Sequence, residues 1–386
     1  MRKVCIFTGT RAEYGILSRL IRKIADDSEL QLQIVATNMH LSPEFGLTYK
    51  EIESDGFHID KKVEMLLSSD TSNGTVKSMG LATIGFADAL EDLKPDLVVI
   101  LGDRYEMLCA AQACLIYNIP IAHIAGGGIT EGAYDDAIRH CITKMSHLHF
   151  TSTKEHRNRV IQLGEQPNRV FWSGSLGVDN IRNEEILTRE ELEKSINFSL
   201  GNKFLLVTYH PVTMENESAA NQCDALLSAL EEVNSDYQVL FTLPNSDTNG
   251  RVISAKVKDY VTSNPDRAFA VCSLGKRRYY SALKYASAVV GNSSSGIIEA
   301  PIFKTPTLNI GNRQKGRTRC ESIVDVSPFY NDIKKGLLRV LSSEFVKIAL
   351  NTISPYEKEN SVDTVFQVIK TFPLEGITKK HFYDIK

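Results

Sequence analysis

Short, mostly apolar runs alternate with longer segments of helical periodicity along the chain, and this alternation restricts the fold more than any other feature. Two of the runs, residues 97–101 and 119–123, are followed closely by glycines and charged side chains. Runs of this length are typical of strands buried on both faces of a parallel sheet. A helix between successive strands provides the crossover that parallel pairing requires. The pattern therefore predicts an α/β fold of doubly wound, Rossmann-like sheets.

The chain is long enough for two domains. A single core stops growing at about 250–300 residues, whereas this chain has 386 residues. The alternation pauses near residues 173–177 and resumes after a polar stretch that ends at about residue 188. We predict an N-terminal domain over residues 1–175 and a C-terminal domain over residues 176–361, with the segment 362–386 packed back on the first. Two such domains in tandem would place their strand ends on a shared cleft.

Composition excludes several classes of partner. The formal net charge is −3, so there is no general positive field to attract nucleic acid or an anionic membrane. No run approaches the ~20 apolar residues of a membrane-spanning helix. Seven cysteines without a CxxC pair indicate reduced thiols and a cytoplasmic location. We predict no metal site, because a helix-to-strand transition would point the neighbouring His140, Cys141, His147 and His149 in different directions.

Acidic residues cluster after two strands of the first domain. Asp103 follows the run 97–101, and Asp135 lies in the helical segment that follows the second run. Ligands bind at the carboxyl ends of parallel strands, so Asp103 and Asp135 are the first candidates for proton transfer. Arg11 follows a glycine turn after the first strand. That turn is either an anion site with free backbone N–H groups or an ordinary strand-to-helix connection.

A serine and glycine run in the second domain is the candidate for diphosphate binding. Residues 291–296 follow a strand and open a helix, so Ser293 and Ser294 suit a diphosphate unless they only cap the helix. Glu299, about one helical turn later, is placed to accept hydrogen bonds from a pair of sugar hydroxyls.

Three further polar residues follow strand ends of the second domain. His210 is either a site residue or a core histidine with satisfied hydrogen bonds. Asn245 follows the next predicted strand. Arg313 belongs either to a solvated charge run or to a clamp for a leaving phosphate.

Taken in order from residue 9 to residue 317, these motifs resemble the hydrolysing UDP-N-acetylglucosamine 2-epimerases of bacterial sialic acid synthesis. The motifs are Gly9-Thr-Arg-Ala-Glu-Tyr14, Gly102-Asp-Arg104, Asp135-Asp-Ala-Ile-Arg-His140, His210-Pro-Val-Thr213, Pro244-Asn-Ser-Asp247, Gly291-Asn-Ser-Ser-Ser-Gly296 and Gly311-Asn-Arg-Gln314.

The resemblance implies a fold of the glycosyltransferase-B type and a reaction without an added cofactor. UDP leaves carbon 1 as the carbon-2 proton is removed, and water then adds to a 2-acetamidoglucal to give N-acetylmannosamine. The resemblance assigns catalysis to Asp103, Asp135 and His210. It assigns UDP binding to Arg11, Arg104, His210, Asn245, Ser293, Ser294, Glu299 and Arg313. We also expect a homo-oligomer, either a dimer or a tetramer.

One departure from the family lies in residues 125–131. Relatives often have Glu where this chain has Ala125 and Gly128, so a carboxylate usually counted in the mechanism is absent. We expect Glu131 to take its catalytic role. The departure also leaves two sugars open: UDP-N-acetylglucosamine, which we favour, and UDP-2,4-diacetamido-2,4,6-trideoxyglucose of legionaminic acid synthesis.

Other functions remain open on the same motifs. A glycosyltransferase would use the same UDP site with an acceptor, and a non-hydrolysing epimerase would release no UDP. A non-catalytic nucleotide-sugar sensor would bind UDP but would not depend on Asp103.

Overall fold

The structure, a computed structural model, describes residues 1–67, 71–131, 134–211, 219–243, 250–272 and 274–385. The chain forms two compact units. The first comprises Met1–Gly128, Ala133–Asn180 and Tyr356–Lys386, and the second comprises Ile129–Gly132 and Ile181–Pro355. Within the described ranges, no helix combines the length and the apolar character needed to cross a membrane.

The first unit is built on a sheet of seven parallel strands. The strands are β1 (Arg2–Thr8), β2 (Leu30–Thr37), β3 (Lys61–Val63), β4 (Leu97–Leu101), β5 (Ile121–Ile124), β6 (Leu148–Thr151) and β7 (Val170–Trp172). Their spatial order is β3-β2-β1-β4-β5-β6-β7. The chain winds outward from β1 to β3 and then returns to the other side of β1, so the strand order reverses between β1 and β4. Ligands of doubly wound sheets bind at such a topological switch point.

Helices connect these strands. They are α1 (Arg11–Ala25), α2 (Tyr49–Ser54), α3 (Ser72–Leu93), α4 (Tyr105–Ile116), α5 (Tyr134–Met145) and α6 (Lys154–Gln162), with 3-10 turns at Asn38–Leu41, Pro43–Phe45 and Pro167–Arg169. Helix α7 (Leu176–Arg182) follows the last strand, β7. A capping box starts α1: Thr10 accepts from the Glu13 N–H while the Glu13 carboxylate accepts from the Thr10 N–H. The box satisfies N–H groups that have no partner inside the helix.

The second unit repeats the same strand order in a sheet of six parallel strands. The strands are β8 (Lys203–Thr208), β9 (Tyr237–Thr242), β10 (Ala268–Val271), β11 (Ala288–Gly291), β12 (Thr307–Ile310) and β13 (Ile323–Val326). The order β10-β9-β8-β11-β12-β13 places the switch point between β8 and β11. The helices are α8 (Arg189–Ile196), α9 (Ala219–Glu231), α10 (Gly250–Ser263), α11 (Gly275–Tyr285), α12 (Ser294–Ile298), α13 (Tyr330–Val340) and α14 (Ser343–Asn351), with a 3-10 turn at Ala300–Phe303.

The stretch expected as a linker begins with a helix. Helix α7 buries Leu176, Val178 and Ile181, and the boundary between the two units falls within it, between Asn180 and Ile181. Only Val178 and Ile181 are one helical turn apart, which is too weak a sequence signal to mark a helix of seven residues.

The end of the chain belongs to the first unit. Helix α15 (Ser361–Thr371) buries Val362, Val365 and Ile369 in the same core cluster as Leu17 of α1. Further on, Lys380 donates to the buried carboxylate of Glu165 at 2.6 Å. Apolar packing and a buried ion pair therefore both hold the terminal segment on this unit.

Candidate active site

The glycine turn after β1 lies at the switch point of the first sheet. The Glu13 carboxylate accepts hydrogen bonds from the N–H groups of Gly9 at 2.8 Å and Thr10 at 3.0 Å. These two groups are therefore not free for an external anion, contrary to the anion-site interpretation of the turn. Arg11 is exposed and forms an ion pair with Glu51 at 2.9 Å.

Asp103 follows β4 at the same switch point and is held by a buried arginine. Arg139 of α5 donates to the Asp103 carboxylate through Nε at 2.8 Å and also through Nη2. Its Nη1 donates to the Gly128 carbonyl at 3.0 Å and to Asp136 at 3.1 Å. The planar guanidinium thus fixes the direction in which the Asp103 carboxylate points. Sequence reasoning assigned Arg139 no role, although it stands in the quoted motif 135–140.

Asp135 lies in the first turn of α5 and is partly buried. Burial raises the pKa of its carboxyl group, and the negative charge of Asp103 raises it further, while Arg104 and Arg139 oppose the rise. The structure therefore brings Asp103, Asp135 and Arg139 together. Because its pKa is raised, the carboxyl group of Asp135 holds a proton more readily than an ordinary aspartate does. Pairs of this kind are suited to acid and base roles.

His123, at the end of β5, supports the turn that carries Asp103. Its Nε2 lies 2.8 Å from the Gly102 carbonyl, so Nε2 carries the hydrogen, and Nδ1 lies 3.2 Å from the Thr143 hydroxyl. Burial lowers the pKa of His123 to about 4. It is a neutral core histidine with both ring nitrogens paired.

A second group of acids surrounds Arg104. The fully buried Glu106 accepts from Arg104 Nε at 2.6 Å. Burial, followed by the charge of Glu106, raises the pKa of Glu13 to about 8. One carboxylate oxygen of Glu13 and one of Glu106 are buried without a partner among the described residues. Sequence reasoning missed both glutamates, because a glutamate in a first helical turn usually serves only as a cap.

The switch point of the second sheet is organised by Asn292, which is fully buried. Its side chain accepts from the His210 N–H at 2.7 Å and donates to the His210 carbonyl at 2.8 Å. Its own carbonyl accepts from Arg313 at 3.1 Å and Gln314 at 2.9 Å. Asn292 therefore joins the segments that carry His210 and Arg313. Burial, and then the charge of Arg313, lowers the pKa of His210 to about 4.

The serine run lies at the start of α12. The Ser293 hydroxyl caps the helix by accepting from the Ser295 N–H at 3.3 Å, a contact that uses its oxygen and not its hydroxyl hydrogen. Ser294 is the first residue of the helix. Burial raises the pKa of Glu299, and a hydrogen bond with Ser295 opposes the rise.

Glu131 belongs to the second unit. Its carboxylate pairs with Lys315 at 2.8 Å, and its N–H donates to the Lys315 carbonyl at 3.2 Å. Asn245 lies outside the described residues. Among the residues described, no group of three or more His, Cys, Asp or Glu side chains is arranged to hold a metal ion.

Residues 22–370 match the protein family described as UDP-N-acetylglucosamine 2-epimerase. The chain belongs to this family. The family resemblance carried by the motifs is thereby confirmed.

Three relatives align with nearly the whole chain. A Campylobacter jejuni protein named GDP/UDP-N,N'-diacetylbacillosamine 2-epimerase (hydrolyzing) is 44% identical, covering 100% of this chain and 99% of that protein. The Escherichia coli polysialic acid biosynthesis protein P7 is 39% identical, covering 100% of this chain and 98% of that protein. A Legionella pneumophila UDP-N,N'-diacetylbacillosamine 2-epimerase (hydrolyzing) is 33% identical, covering 97% of each. The chain is thus an enzyme of the hydrolysing UDP-sugar 2-epimerase family.

The fold of a solved 2-epimerase agrees with that of this chain. The Methanocaldococcus jannaschii UDP-GlcNAc 2-epimerase in complex with UDP-GlcNAc and UDP matches with a TM-score of 0.76, covering 95% of this chain and 99% of that one at 21% identity. The predicted fold class, two Rossmann-like parallel sheets of the glycosyltransferase-B type, is confirmed.

Proposed function

We propose that the enzyme converts UDP-2,4-diacetamido-2,4,6-trideoxyglucose and water to UDP and 2,4-diacetamido-2,4,6-trideoxymannose. The observation that carries this choice is the full-length relative at 44% identity, whose name gives N,N'-diacetylbacillosamine, the same 2,4-diacetamido sugar. The proposal replaces UDP-N-acetylglucosamine, which the sequence favoured. The absence of a carboxylate at Ala125 and Gly128 agrees with a substrate other than UDP-N-acetylglucosamine.

The chemistry requires groups of different proton affinity. The proton on carbon 2 is weakly acidic, so departure of UDP must lead and build positive charge on the ring. Removal of that proton gives a glycal. Water then adds across its double bond: the hydroxyl group bonds to carbon 1, and a proton adds to carbon 2 on the face opposite to the one that lost the first proton. We assign the base to Asp103, oriented by Arg139, and the acid to Asp135, whose pKa is raised.

The departing diphosphate needs donors and cations. We assign UDP binding to seven residues of the family motifs and to Glu299, which follows one of them. The seven are Arg11, Arg104, His210, Asn245, Ser293, Ser294 and Arg313. The link through Asn292 supports two of these assignments, because it holds His210 and Arg313 in fixed positions. With its low pKa, His210 is neutral at pH 7 and can donate or accept a proton in a hydrogen bond.

Glu131 remains our candidate for the missing carboxylate. In the free protein its charge is engaged by Lys315, so a catalytic role requires that this exposed ion pair open. Solvent screens exposed pairs of this kind, so opening the pair costs little. If Glu131→Gln retains full turnover while Asp103→Asn and Asp135→Asn abolish it, Glu131 has no catalytic role.

UDP-N-acetylglucosamine is the second candidate, favoured by the family match and by the relative named for polysialic acid biosynthesis. The test is to supply each nucleotide sugar separately and measure release of the nucleoside diphosphate. We expect kcat/KM to be at least ~10-fold higher for the 2,4-diacetamido sugar, because a site built for an acetamido group leaves polar groups unpaired against a hydroxyl. Higher kcat/KM with UDP-N-acetylglucosamine would refute the choice of sugar. Supplying the same sugar linked to GDP instead of UDP tests which nucleotide the enzyme accepts, since the name of the Campylobacter protein includes GDP.

We also propose a homo-oligomer and a cytoplasmic location. The location rests on the cysteines: all seven are unpaired, as expected in a reducing compartment.

The homo-oligomer rests on exposed apolar side chains on α3 and at the end of α4. Val76 is 67%, Ile84 65% and Ile116 83% accessible, and such surfaces often form subunit interfaces. Light scattering coupled to gel filtration measures the mass directly, and a monomer would contradict the oligomer.

A further inference from the structure

An open cavity of about 580 Å³ lies on the first unit, away from its switch point. It is bordered by the edge strand β7, by α6 and by the start of α15. Its lining includes Lys154, Arg157 and Lys358 together with Trp172, and it includes no carboxylate. β7 lies three strand positions from β4, or about 14 Å at the usual spacing of strands.

Two of the cations, Arg157 and Lys358, are held in place without being neutralised. Arg157 donates to the carbonyls of Val170 at 3.0 Å and Pro167 at 3.1 Å, and Lys358 donates to the carbonyl of Trp172. Carbonyl groups carry no net charge, so the positive charge of each donor remains. Within the described part of the chain, none of the three is in an ion pair with a carboxylate. A concave cluster of uncompensated charge of one sign concentrates ions of the opposite sign.

Trp172 adds a ring to this cluster. Lys154 Nζ lies 4.7 Å and Lys358 Nζ 4.8 Å from the centroid of its indole, within cation–π range. Its indole N–H is buried and has no acceptor among the described residues. A purely structural role, protection of the sheet edge, would explain Arg157 and Lys358, because both donate hydrogen bonds to carbonyls of the edge strand. It does not account for Lys154, which makes no hydrogen bond to the described residues, or for the absence of any carboxylate.

We infer that this cavity is a second anion site, which binds a phosphate group through Lys154, Arg157 and Lys358 beside the indole of Trp172. A phosphate suits the site because it has up to two negative charges and several acceptor oxygens for fixed N–H donors. The volume is also sufficient for a nucleotide. The phosphate comes either from a nucleotide or from the inorganic ion. The inference does not rest on the proposed function, since neither Asp103 nor any proposed UDP ligand lines the cavity.

Trp172 is the only tryptophan of the chain, so the protein carries its own reporter at this site. The full-length protein is titrated with inorganic phosphate, CMP and UDP at constant ionic strength, with excitation selective for tryptophan and with chloride as the reference anion. We expect a saturable change in tryptophan emission that chloride does not produce. A larger response with CMP and UDP than with inorganic phosphate identifies a nucleotide as the ligand, and equal responses identify the phosphate group alone.

Variants locate the response. Lys154→Gln is expected to weaken binding at least ~10-fold and to leave the fold unaffected, because Lys154 is exposed and makes no hydrogen bond to the residues that the structure describes. Lys358→Gln added to it should abolish saturation. Lys77→Gln, an exposed lysine of α3, is the matched control and should bind normally. Arg313→Gln, in the proposed UDP site, should leave the response to inorganic phosphate unchanged. An unsaturable response, or equal affinity in Lys154→Gln and Lys77→Gln, would overturn the second site.

Discussion

At the scale of single residues, the first unit surrounds its two candidate carboxylates differently. Asp103 receives two donors from one buried guanidinium. Asp135 is partly buried near that carboxylate, and its pKa is raised. The sequence places both aspartates at strand ends, but it does not reveal Arg139, because an arginine one helical turn after an aspartate is usually a surface ion pair. Only the fold shows that Arg139 is buried and turned toward Asp103.

Replacing Arg139 by lysine tests whether Asp103 must be held in one orientation. Lysine keeps the charge but loses the planar fork, so we expect kcat to fall about 100-fold with a smaller change in KM. Release of UDP under saturating substrate is the measurement. Arg169→Lys, on the same unit, is the control and should retain normal turnover. Unchanged kcat in Arg139→Lys would show that the fork has no part in orienting Asp103.

Glu13 makes the stability of the protein depend on pH. Its pKa rises from an ordinary value near 4.5 to about 8 on folding, so the folded state holds a proton that the unfolded state has lost. The free energy of unfolding should therefore fall as pH rises from about 4.5 to about 8.

Glu13→Gln imitates the protonated acid and removes this contribution. Denaturant unfolding at several pH values should show a decline between pH 5 and pH 8 that is smaller in the variant by about 1–3 kcal/mol. In Glu375→Gln, a variant at an exposed position, the free energy of unfolding should decline with pH as it does in the wild type. Equal slopes in Glu13→Gln and the wild type would mean that Glu13 is already ionised in the folded protein at pH 7.

At the scale of elements, the second switch point depends on how closely β11 approaches β8. Gly291 has a φ of +135°, and a Cβ there would lie 1.9 Å from the Thr208 carbonyl oxygen. A glycine that ends a strand and precedes serines can be predicted from the sequence to be part of a turn. The close contact cannot be predicted, because it depends on the partner strand.

Gly291→Ala should force β8 and β11 apart and break the hydrogen bonds between His210 and Asn292. We expect a loss of about 3 kcal/mol or more in the free energy of unfolding. Gly80→Ala in α3 has open space around its Cβ and should change stability by at most about 1 kcal/mol, in the stabilising direction. Similar unfolding midpoints for the two variants would contradict the account of Gly291.

The terminal segment is held by the carboxylate of Glu165. Glu165 is buried and accepts from Lys144 at 2.7 Å, His149 at 3.0 Å and Lys380 at 2.6 Å. Glu165→Gln leaves Lys144 and Lys380 without their counter-charge, and we expect a loss of about 3–5 kcal/mol. Glu155→Gln removes an exposed pair with Arg159 and should cost no more than about 1 kcal/mol. Urea unfolding compares the two, and equal losses would contradict this role of Glu165.

At the scale of the whole molecule, the strand and helix alternation was sufficient to predict two Rossmann-like sheets. Strands such as β4 are wholly buried, so their sequence contains no polar residues to obscure the pattern. The side chains that connect segments were less predictable. Asn292 and Glu106 act through partners distant in sequence or through burial, and neither property is visible in a local motif.

The central claim is that a UDP-sugar is hydrolysed with exchange of the carbon-2 proton. The most direct measurement is incubation of the protein with UDP-2,4-diacetamido-2,4,6-trideoxyglucose in D₂O, followed by proton NMR of the products. We expect one UDP for each free sugar formed, with the mannose configuration and one deuterium at carbon 2, and no product with Asp103→Asn. A free sugar that retains its carbon-2 proton, or an epimer that remains attached to UDP, would contradict the claim.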